Sequence, residues 1–326
     1  MPTLAGGALL NDCIAALGRQ TFRQFETIVV DNGGADRLFK TVFPDFVRVL
    51  SGPRNLGYGG AINFGSRASA SEYVAALNDD AIVDPGWLNA LVKAADAQPQ
   101  AGMWASCVRL SATEMDSAGM LLFGDGSSKQ RGHRRPPSEF TQAAEVLLPS
   151  GSAAMYRRTM LERTGGFEDD FFLYCEDTDL GLRAQWAGWS CQYVPDAVVD
   201  HRYSQSAGRV SPLKAYYVER NRLRVAIRTF PAGMLIAAPL HAISRYGWHL
   251  LTLFSGRGPA ADFHKDGGSP LFLVWLVLRA HAGALWSLPR LLRERWRISR
   301  MAAITATHFT ELARRHALTA REVATL

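Results

Sequence analysis

Two neighbouring acids just past an apolar run are the first residues that could do chemistry. Asn78-Asp79-Asp80 follows Tyr73-Val74-Ala75-Ala76-Leu77, so a strand would deliver two carboxylates to its exit. Taking both charges out of water is costly there unless a cation compensates, and a hard divalent ion with oxygen ligands would do so. The same tripeptide also reads as a turn into a helix opening near Asp84-Pro85-Gly86-Trp87, with Asp84 as cap before an N1 proline.

A second acidic group, Glu176-Asp177-Thr178-Asp179, lies between the aromatic run Phe171-Phe172-Leu173-Tyr174 and a helical stretch, Leu180 to Ala187. A carboxyl against an apolar wall has its pKa raised toward that of a useful base. Acids in a first helical turn also simply complement the dipole. His201 closes a β-like stretch, Asp196 to Asp200, where a neutral imidazole could complete a metal shell begun by Asp80 or cap a surface turn. Asp31, at the end of Ile28-Val29-Val30, could accept the imide N–H of a pyrimidine or shape an Asp-Asn-Gly turn. Arg220 could serve a leaving diphosphate or pair with Glu219 or Glu168.

Other chemistries fit less well. Gly57-Tyr58-Gly59-Gly60 has Ile62 where a dinucleotide fingerprint needs its third glycine, and no strand leads into Gly57. The residues up to Gln20 contain no Gly-rich, Arg-containing phosphate loop of the kind a nucleotidyltransferase needs.

These candidates need a frame. Residues 8 to 108 alternate a helix, Ala8 to Gly18, with short β-rich runs at Glu26–Val30, Val47–Leu50, Tyr73–Leu77 and Met103–Val108. That alternation predicts a parallel α/β sheet with ligands at the carboxyl ends of its strands. Gly124 to Phe140, rich in Gly, Ser, Arg and Pro, reads as a long surface loop. With 326 residues, 48% of them hydrophobic, the chain can bury a large core, and disorder is not the default. Cys13, Cys107, Cys175 and Cys191 form no C-x-x-C pair, against a zinc cluster or a disulfide scaffold. No secretory signal opens the sequence, so a cytoplasmic catalytic part is expected.

Past His201 the composition changes, and a boundary is expected near residue 210, with a catalytic domain over 1–210 and a helical region over 211–326. Phe230–Phe254 and Leu271–Leu278 are apolar, and Arg290–Arg300 holds five arginines and one glutamate. His241, Arg245 and His249 interrupt the first stretch and Arg279 ends the second, so neither is a clean membrane span. Helices lying in the interface account for the pattern, with Trp248, Trp275, Trp286 and Trp296 at headgroup level and the arginines on anionic lipid. A buried helical cap is the alternative. The net charge of +6 also suits nucleic acid, but the basic residues interleave with Leu and Trp as they do at membranes, and no nucleic-acid partner is expected.

Taken together, these residues resemble the family-2 glycosyltransferases, in particular the rhamnosyltransferase-like branch of bacterial surface-polysaccharide synthesis. The resemblance covers residues 2 to 225. It rests on Gln20-Thr21 through Asp31-Asn32, Asn55-Leu56-Gly57-Tyr58-Gly59-Gly60, Leu77-Asn78-Asp79-Asp80, Gly151-Ser152, Gly165-Gly166-Phe167, Phe171 to Leu180, Ala187-Gly188-Trp189 and Pro195 to His201.

The resemblance implies a glycosyltransferase A fold with a mixed, mainly parallel central sheet and a membrane-associated helical C-terminal segment. It implies Asp31 on the base, Asp80 as the main Mg²⁺ or Mn²⁺ ligand with His201 as a further one, and Asp177, next to Glu176, as catalytic base. Thr3, Asn32, Asn55, Gly57, Asn78, Asp79, Gly151 and Ser152 would surround the nucleotide and donor sugar, with Arg220 near the diphosphate. The expected activity is inverting transfer of a sugar, rhamnose among the candidates, from a UDP- or dTDP-sugar to a lipid-linked glycan at the cytoplasmic face of the membrane. A membrane-attached scaffold with the same fold is the alternative. Two departures stand out. Asn78 replaces the first acid of the D-x-D motif. The family's first apolar strand is almost wholly missing ahead of Pro2-Thr3, through a misplaced start, a truncation or a damaged protein.

Overall fold

The computed structural model describes residues 1–326 except 5, 35–37, 39–40, 203–210, 255, 257, 259–262, 264–268 and 326. The expected boundary at residue 210 lies outside the described residues. Contacts divide the chain into two compact units. Unit 1 comprises Met1–Gly119, Gln130–Phe172 and Trp189–Tyr203; unit 2 comprises Met120–Lys129, Leu173–Gly188 and Ser204–Leu326.

The elements in chain order begin with β1 (Pro2–Thr3), α1 (Ala8–Gly18), β2 (Thr27–Asp31), β3 (Val47–Ser51), α2 (Gly57–Ser66), β4 (Tyr73–Leu77), β5 (Ala81–Val83), α3 (Trp87–Ala97), β6 (Ala101–Arg109) and β7 (Met115–Ser117). They continue with β8 (Met120–Leu122), β9 (Ser128–Gln130), β10 (Ala144–Val146), β11 (Ala153–Arg157), α4 (Arg158–Thr164), α5 (Glu176–Trp186) and β12 (Ser190–His201). Six helices follow: α6 (Pro212–Thr229), α7 (Ala232–Phe254), α8 (Pro270–Trp286), α9 (Leu288–Met301), α10 (Ala306–Arg315) and α11 (Ala320–Thr325).

In unit 1, β1, β2 and β3 form a parallel sheet, and β10-β12-β6-β11-β4 form a second, with β5 on β12 and β7 on β6. β6 is buried along almost its whole length, as a strand covered on both faces must be. The expectation of a mainly parallel sheet is corrected. Only β6–β12 is parallel in the larger sheet, while β4–β11, β6–β11, β10–β12, β5–β12 and β6–β7 are antiparallel. Hydrophobic runs report burial, not strand direction, and the strands that reverse direction lie after residue 110. Core residues Trp87, Leu91, Trp104, Val108, Met155 and Val199 pack together beneath α3.

Pro195 divides β12. Proline cannot donate to a ladder, and the register on β6 shifts between Val194 and Val198. Beyond the shift β12 also takes up β5, with His201 opposite Ala81.

The expected surface loop at Gly124–Phe140 is also corrected. β8 and β9 pair, and Asp125 and Ser127 in their turn are buried. Three-residue strands are too short to show a period of two, so the sequence there reads as loop.

Unit 2 is organised on α6, which buries Glu219, Asn221, Arg222, Arg224 and Arg228. Arg245 of α7 bonds Asp125 at 2.6 Å and Glu219 at 2.9 Å; Arg222 reaches Asp125 at 3.5 Å and bonds Glu219. Arg228 bonds Asp179 at 2.9 Å and Glu294 at 2.7 Å. The residues that interrupt the apolar pattern of α7 therefore face inward: Arg245 is buried, and the His241 ring packs edge-on to Phe123 with centroids 5.4 Å apart. Ile236, Leu240, Ile243, Leu251 and Phe254 are exposed instead. Trp275, Trp286 and Trp296 are exposed as well, whereas Trp248 packs on Phe123, Leu318, Ala320 and Val323. No single described helix is long and apolar enough to cross a membrane; α8 and α9 together could, bent by 62°.

Candidate active site

The register of two strand pairs assembles the site in unit 1. β4 and β11 run antiparallel with Leu77 opposite Ala153, so the residues leaving β4 meet those entering β11. The Asn78 N–H donates to the Ser152 carbonyl at 3.0 Å, and the Tyr58 hydroxyl donates to the Gly151 carbonyl. The β5–β12 register then brings His201 to Asp80, with His201 Nε2 3.1 Å from Asp80 Oδ1 and 3.2 Å from the Asn78 amide nitrogen.

His201 is held from its other side as well. Its Nδ1 lies 3.0 Å from Asp116 Oδ2, and Asp116 Oδ1 lies 3.3 Å from His133 Nδ1. Asp80, Asp116 and His201 are all buried. Burial by itself would lower the His201 pKa, but Asp116 and Asp80 outweigh it and push the value up to about 9. Asp116 is held below its ordinary range, because hydrogen bonds to His133 and His201 overcome the cost of burial. Burial pushes the Asp79 pKa up; the Thr3 hydroxyl opposes this and the Asp80 charge adds to it. Asp80 Oδ1 is buried and receives no aligned hydrogen bond. It and His201 Nε2 thus oppose each other as two ligand atoms would.

The nucleotide-side candidates have mainly structural partners. Asp31 is buried at the end of β2, where Oδ1 accepts from Gly33 N–H at 3.2 Å and Oδ2 from Leu38 N–H at 3.1 Å. Each oxygen keeps another lone pair. The Asn32 amide donates to the Gly57 carbonyl at 3.0 Å and to Asn55 Oδ1 at 3.3 Å, and accepts from Leu56 N–H at 2.8 Å. Asn55 Oδ1 also accepts from Gly57 N–H at 2.9 Å. Gly57 is at φ +72, and a Cβ there would stand 2.1 Å from the Phe172 carbonyl oxygen, so only glycine fits.

Unit 2 carries the second acidic group. Asp177 lies in the first turn of α5, with Oδ1 accepting from Thr178 N–H at 2.6 Å. The carboxyl at the apolar wall is that of Glu176: burial, then the Asp177 charge, pushes its pKa up to about 8. Asp179 forms an ion pair with Arg183 at 2.7 Å and with Arg228. Ahead of α5, Phe172, Tyr174 and Cys175 all have positive φ, a conformation L residues adopt only under tertiary constraint. Asn221 supplies part of that constraint, donating to the Leu173 and Tyr174 carbonyls at 2.8 Å each. Arg220 donates to Asn221 Oδ1 at 2.9 Å and lies over the Tyr217 ring at 4.7 Å.

Residues 1–165 match the family described as Glycosyl transferase family 2. The chain belongs to that family. Within family 2 it is rhamnosyltransferase-like. It is 32% identical over 237 residues to the N-acetylglucosaminyl-diphospho-decaprenol L-rhamnosyltransferase of Mycobacterium tuberculosis, across 64% of this chain and 76% of the relative. It is 26% identical over 207 residues to the O-antigen chain rhamnosyltransferase WbaN of Salmonella anatum, across 61% and 64%. Among solved structures, the mannosyltransferase PcManGT of Pyrobaculum calidifontis, in complex with GDP-Man and Mn²⁺, aligns with a TM-score of 0.53 at 19% identity, across 88% of this chain and 86% of that one. The fold is therefore the α/β glycosyltransferase fold, and the chain is a glycosyltransferase.

Asp116, His133 and Asn221 escaped the sequence reading. Asp116 lies in a short polar strand and His133 in the segment read as loop, so neither carried a local signal. Asn221 stands beside the singled-out Arg220, but its task depends on a backbone segment far away in sequence.

Proposed function

We propose that this family-2 enzyme transfers a sugar, rhamnose by preference, from a dTDP- or UDP-sugar to a hydroxyl of a lipid-linked glycan, with inversion at the anomeric carbon. The observation that carries this reading is the buried pair of Asp80 Oδ1 and His201 Nε2, 3.1 Å apart at the exit of β4. One carboxylate oxygen and one imidazole nitrogen suit Mn²⁺ or Mg²⁺. Among the described residues no third His, Cys, Asp or Glu joins them, as expected where substrate phosphates supply the other ligands. Such an ion, when bound, neutralises charge developing on the departing diphosphate. The Mn²⁺ and GDP-Man in the PcManGT complex support this assignment.

The chain's own residues do the rest. Asp116, braced by His133, fixes the His201 ring so that Nε2 faces Asp80. Thr3 and Asp79 border the same end of the sheet, and Asp31, Asn32, Asn55, Gly57, Asn78, Gly151 and Ser152 shape the nucleotide and donor-sugar site. Asp177 takes the proton of the acceptor hydroxyl as that oxygen attacks. Glu176 keeps its own proton up to about pH 8, so it adds no second charge beside the base. Arg220 offers a cation to the diphosphate.

A lipid-linked acceptor is supported by the diphospho-decaprenol substrate in the name of the mycobacterial relative. The outward apolar stripe of α7 supports docking at the cytoplasmic face of the membrane, because the helix turns its polar residues inward. The arginines and Trp296 of α9 would meet anionic headgroups there.

The test is nucleotide release from dTDP-, UDP- and GDP-sugars with Mn²⁺ or Mg²⁺ and a short-chain diphosphate-linked N-acetylglucosamine, with the product's anomeric configuration read by NMR. Metal-dependent release with inversion is expected. Retention of configuration, or no release from any donor by folded protein that binds nucleotide, overturns the reading.

A further inference from the structure

One buried charge in unit 2 has no task in the reaction as described above. Lys129 lies in β9, partly buried. Among the described residues its ammonium makes no hydrogen bond and no ion pair, and the charges acting on it, Lys214 and Arg245, are both positive. Burial and these two cations pull its pKa down to about 8.

The surroundings do not compensate for it. Asp125 and Glu219 are taken up by Arg222 and Arg245 at 2.6–3.5 Å, counting the close Glu219–Arg222 pair with them. His249 Nε2 is 3.4 Å from Arg245 Nη1, and burial, Arg245 and Lys129 hold its pKa down to about 4, so the ring is neutral. A shielded cation with no counter-charge is an expensive thing to keep and is a standing invitation to an anion.

Its position says which anion. The neighbouring Ser128 hydroxyl lies 2.7 Å from that of Thr178, the residue after Asp177. Lys214 sits over the Tyr174 ring at 5.7 Å, on the strained segment that leads into α5. Two ammonium groups therefore flank the turn that carries the proposed base. Arg245 and His249 belong to the inward stripe of α7, whose outward stripe is apolar. A helix about 10 Å across thus separates a lipid-facing surface from a cationic interior.

We propose that Lys129 and Lys214 form a subsite for the diphosphate of the lipid-linked acceptor, holding it one sugar ring away from the hydroxyl that Asp177 deprotonates. This rests on the proposed function and adds to it the part of the acceptor that is recognised. The two ammonium charges match the charge of a diphosphate diester, and no bond to phosphorus forms or breaks there. The same chemistry could be offered by the donor's diphosphate, so the experiment separates the two.

Binding of geranylgeranyl diphosphate in detergent micelles, of geranylgeraniol as control, and of dTDP and UDP would be measured by calorimetry, for wild type, Lys129→Met and Lys129→Arg. The expected result is that Lys129→Met binds the lipid diphosphate about ten- to a hundredfold more weakly, the worth of one charge-assisted hydrogen bond. Its nucleotide affinity should be unchanged, its Tm equal to or above wild type, and Lys129→Arg should restore much of the lipid affinity. Unchanged lipid-diphosphate affinity in Lys129→Met overturns the proposal. Equal loss of nucleotide affinity assigns the lysine to the donor and also overturns it, and a lowered Tm with intact lipid binding makes Lys129 structural. Wild type that binds neither nucleotide would instead undercut the proposed function itself.

Discussion

Two buried charge clusters in this chain are built from the same residue types and behave in opposite ways. In unit 2, Asp125 and Glu219 meet Arg222 and Arg245 so completely that burial, which alone would raise the Glu219 pKa, is overcome by the two guanidinium charges and the value falls to about 2. In unit 1, Asp80 and Asp116 meet only imidazoles, and Asp80 Oδ1 is left without an aligned donor. An arginine cannot give up its charge or its donors, so the first cluster is fixed architecture. An imidazole can yield a nitrogen lone pair, so the second remains able to take a cation. Buried carboxylates mark chemistry when their partners can exchange a proton for a metal, and structure when they cannot.

The comparison can be broken in several ways. The largest effect is expected from Asp80→Ala: metal-dependent nucleotide release should fall to background while the circular dichroism melt stays within a few degrees of wild type, and retained activity would dissolve the distinction. Asp177→Asn should reduce kcat by about 10²–10⁴, the usual worth of a general base, with nucleotide affinity preserved; a loss confined to KM would remove Asp177 from the chemistry.

In the other cluster, Arg245→Met should leave Asp125 and Glu219 short of a cation and cost about 3–5 kcal/mol of stability, seen in urea unfolding. A change below 1 kcal/mol would mean the network is not fixed architecture. Asp116→Asn should weaken Mn²⁺ binding about 10–100-fold, as loss of a partner behind a ligating histidine does. Equilibrium Mn²⁺ titration checks this without turnover.

The smallest effect is the pH response of the arginine-paired cluster. Glu219 has a folded pKa of about 2 against an ordinary 4.5. Its contribution is complete above about pH 5 and fades as pH falls from there toward 2, so Tm should decline across that window. Arg245→Met should flatten the decline, and an equally steep slope would place the acid sensitivity elsewhere.

How much of this was legible beforehand follows from the physics of each signal. α1 and β4 were readable to the residue, because their apolar spacing is set by the faces they bury. Asp79, Asp80, Asp177 and His201 were readable as candidates, because strand exits and helix starts show in local sequence. The β8–β9 hairpin was not readable, since strands of three residues carry no periodicity. The same locality hid the inward turn of α7: His241, Arg245 and His249 were seen as interruptions, but which side they faced depends on Asp125 and Glu219.

By itself, then, the sequence determined the apolar runs, the polar residues at their ends and the glycine at position 57, all of which follow from the chemistry of neighbouring residues. Tertiary structure alone decided that His201 meets Asp80 and Asp116, through a register shift after Pro195 and a pairing with β5. It also decided that the acids of unit 2 lie fully paired while Lys129 does not. Those outcomes depend on which strands and helices become neighbours, and a charge gains or lacks a partner only once they have.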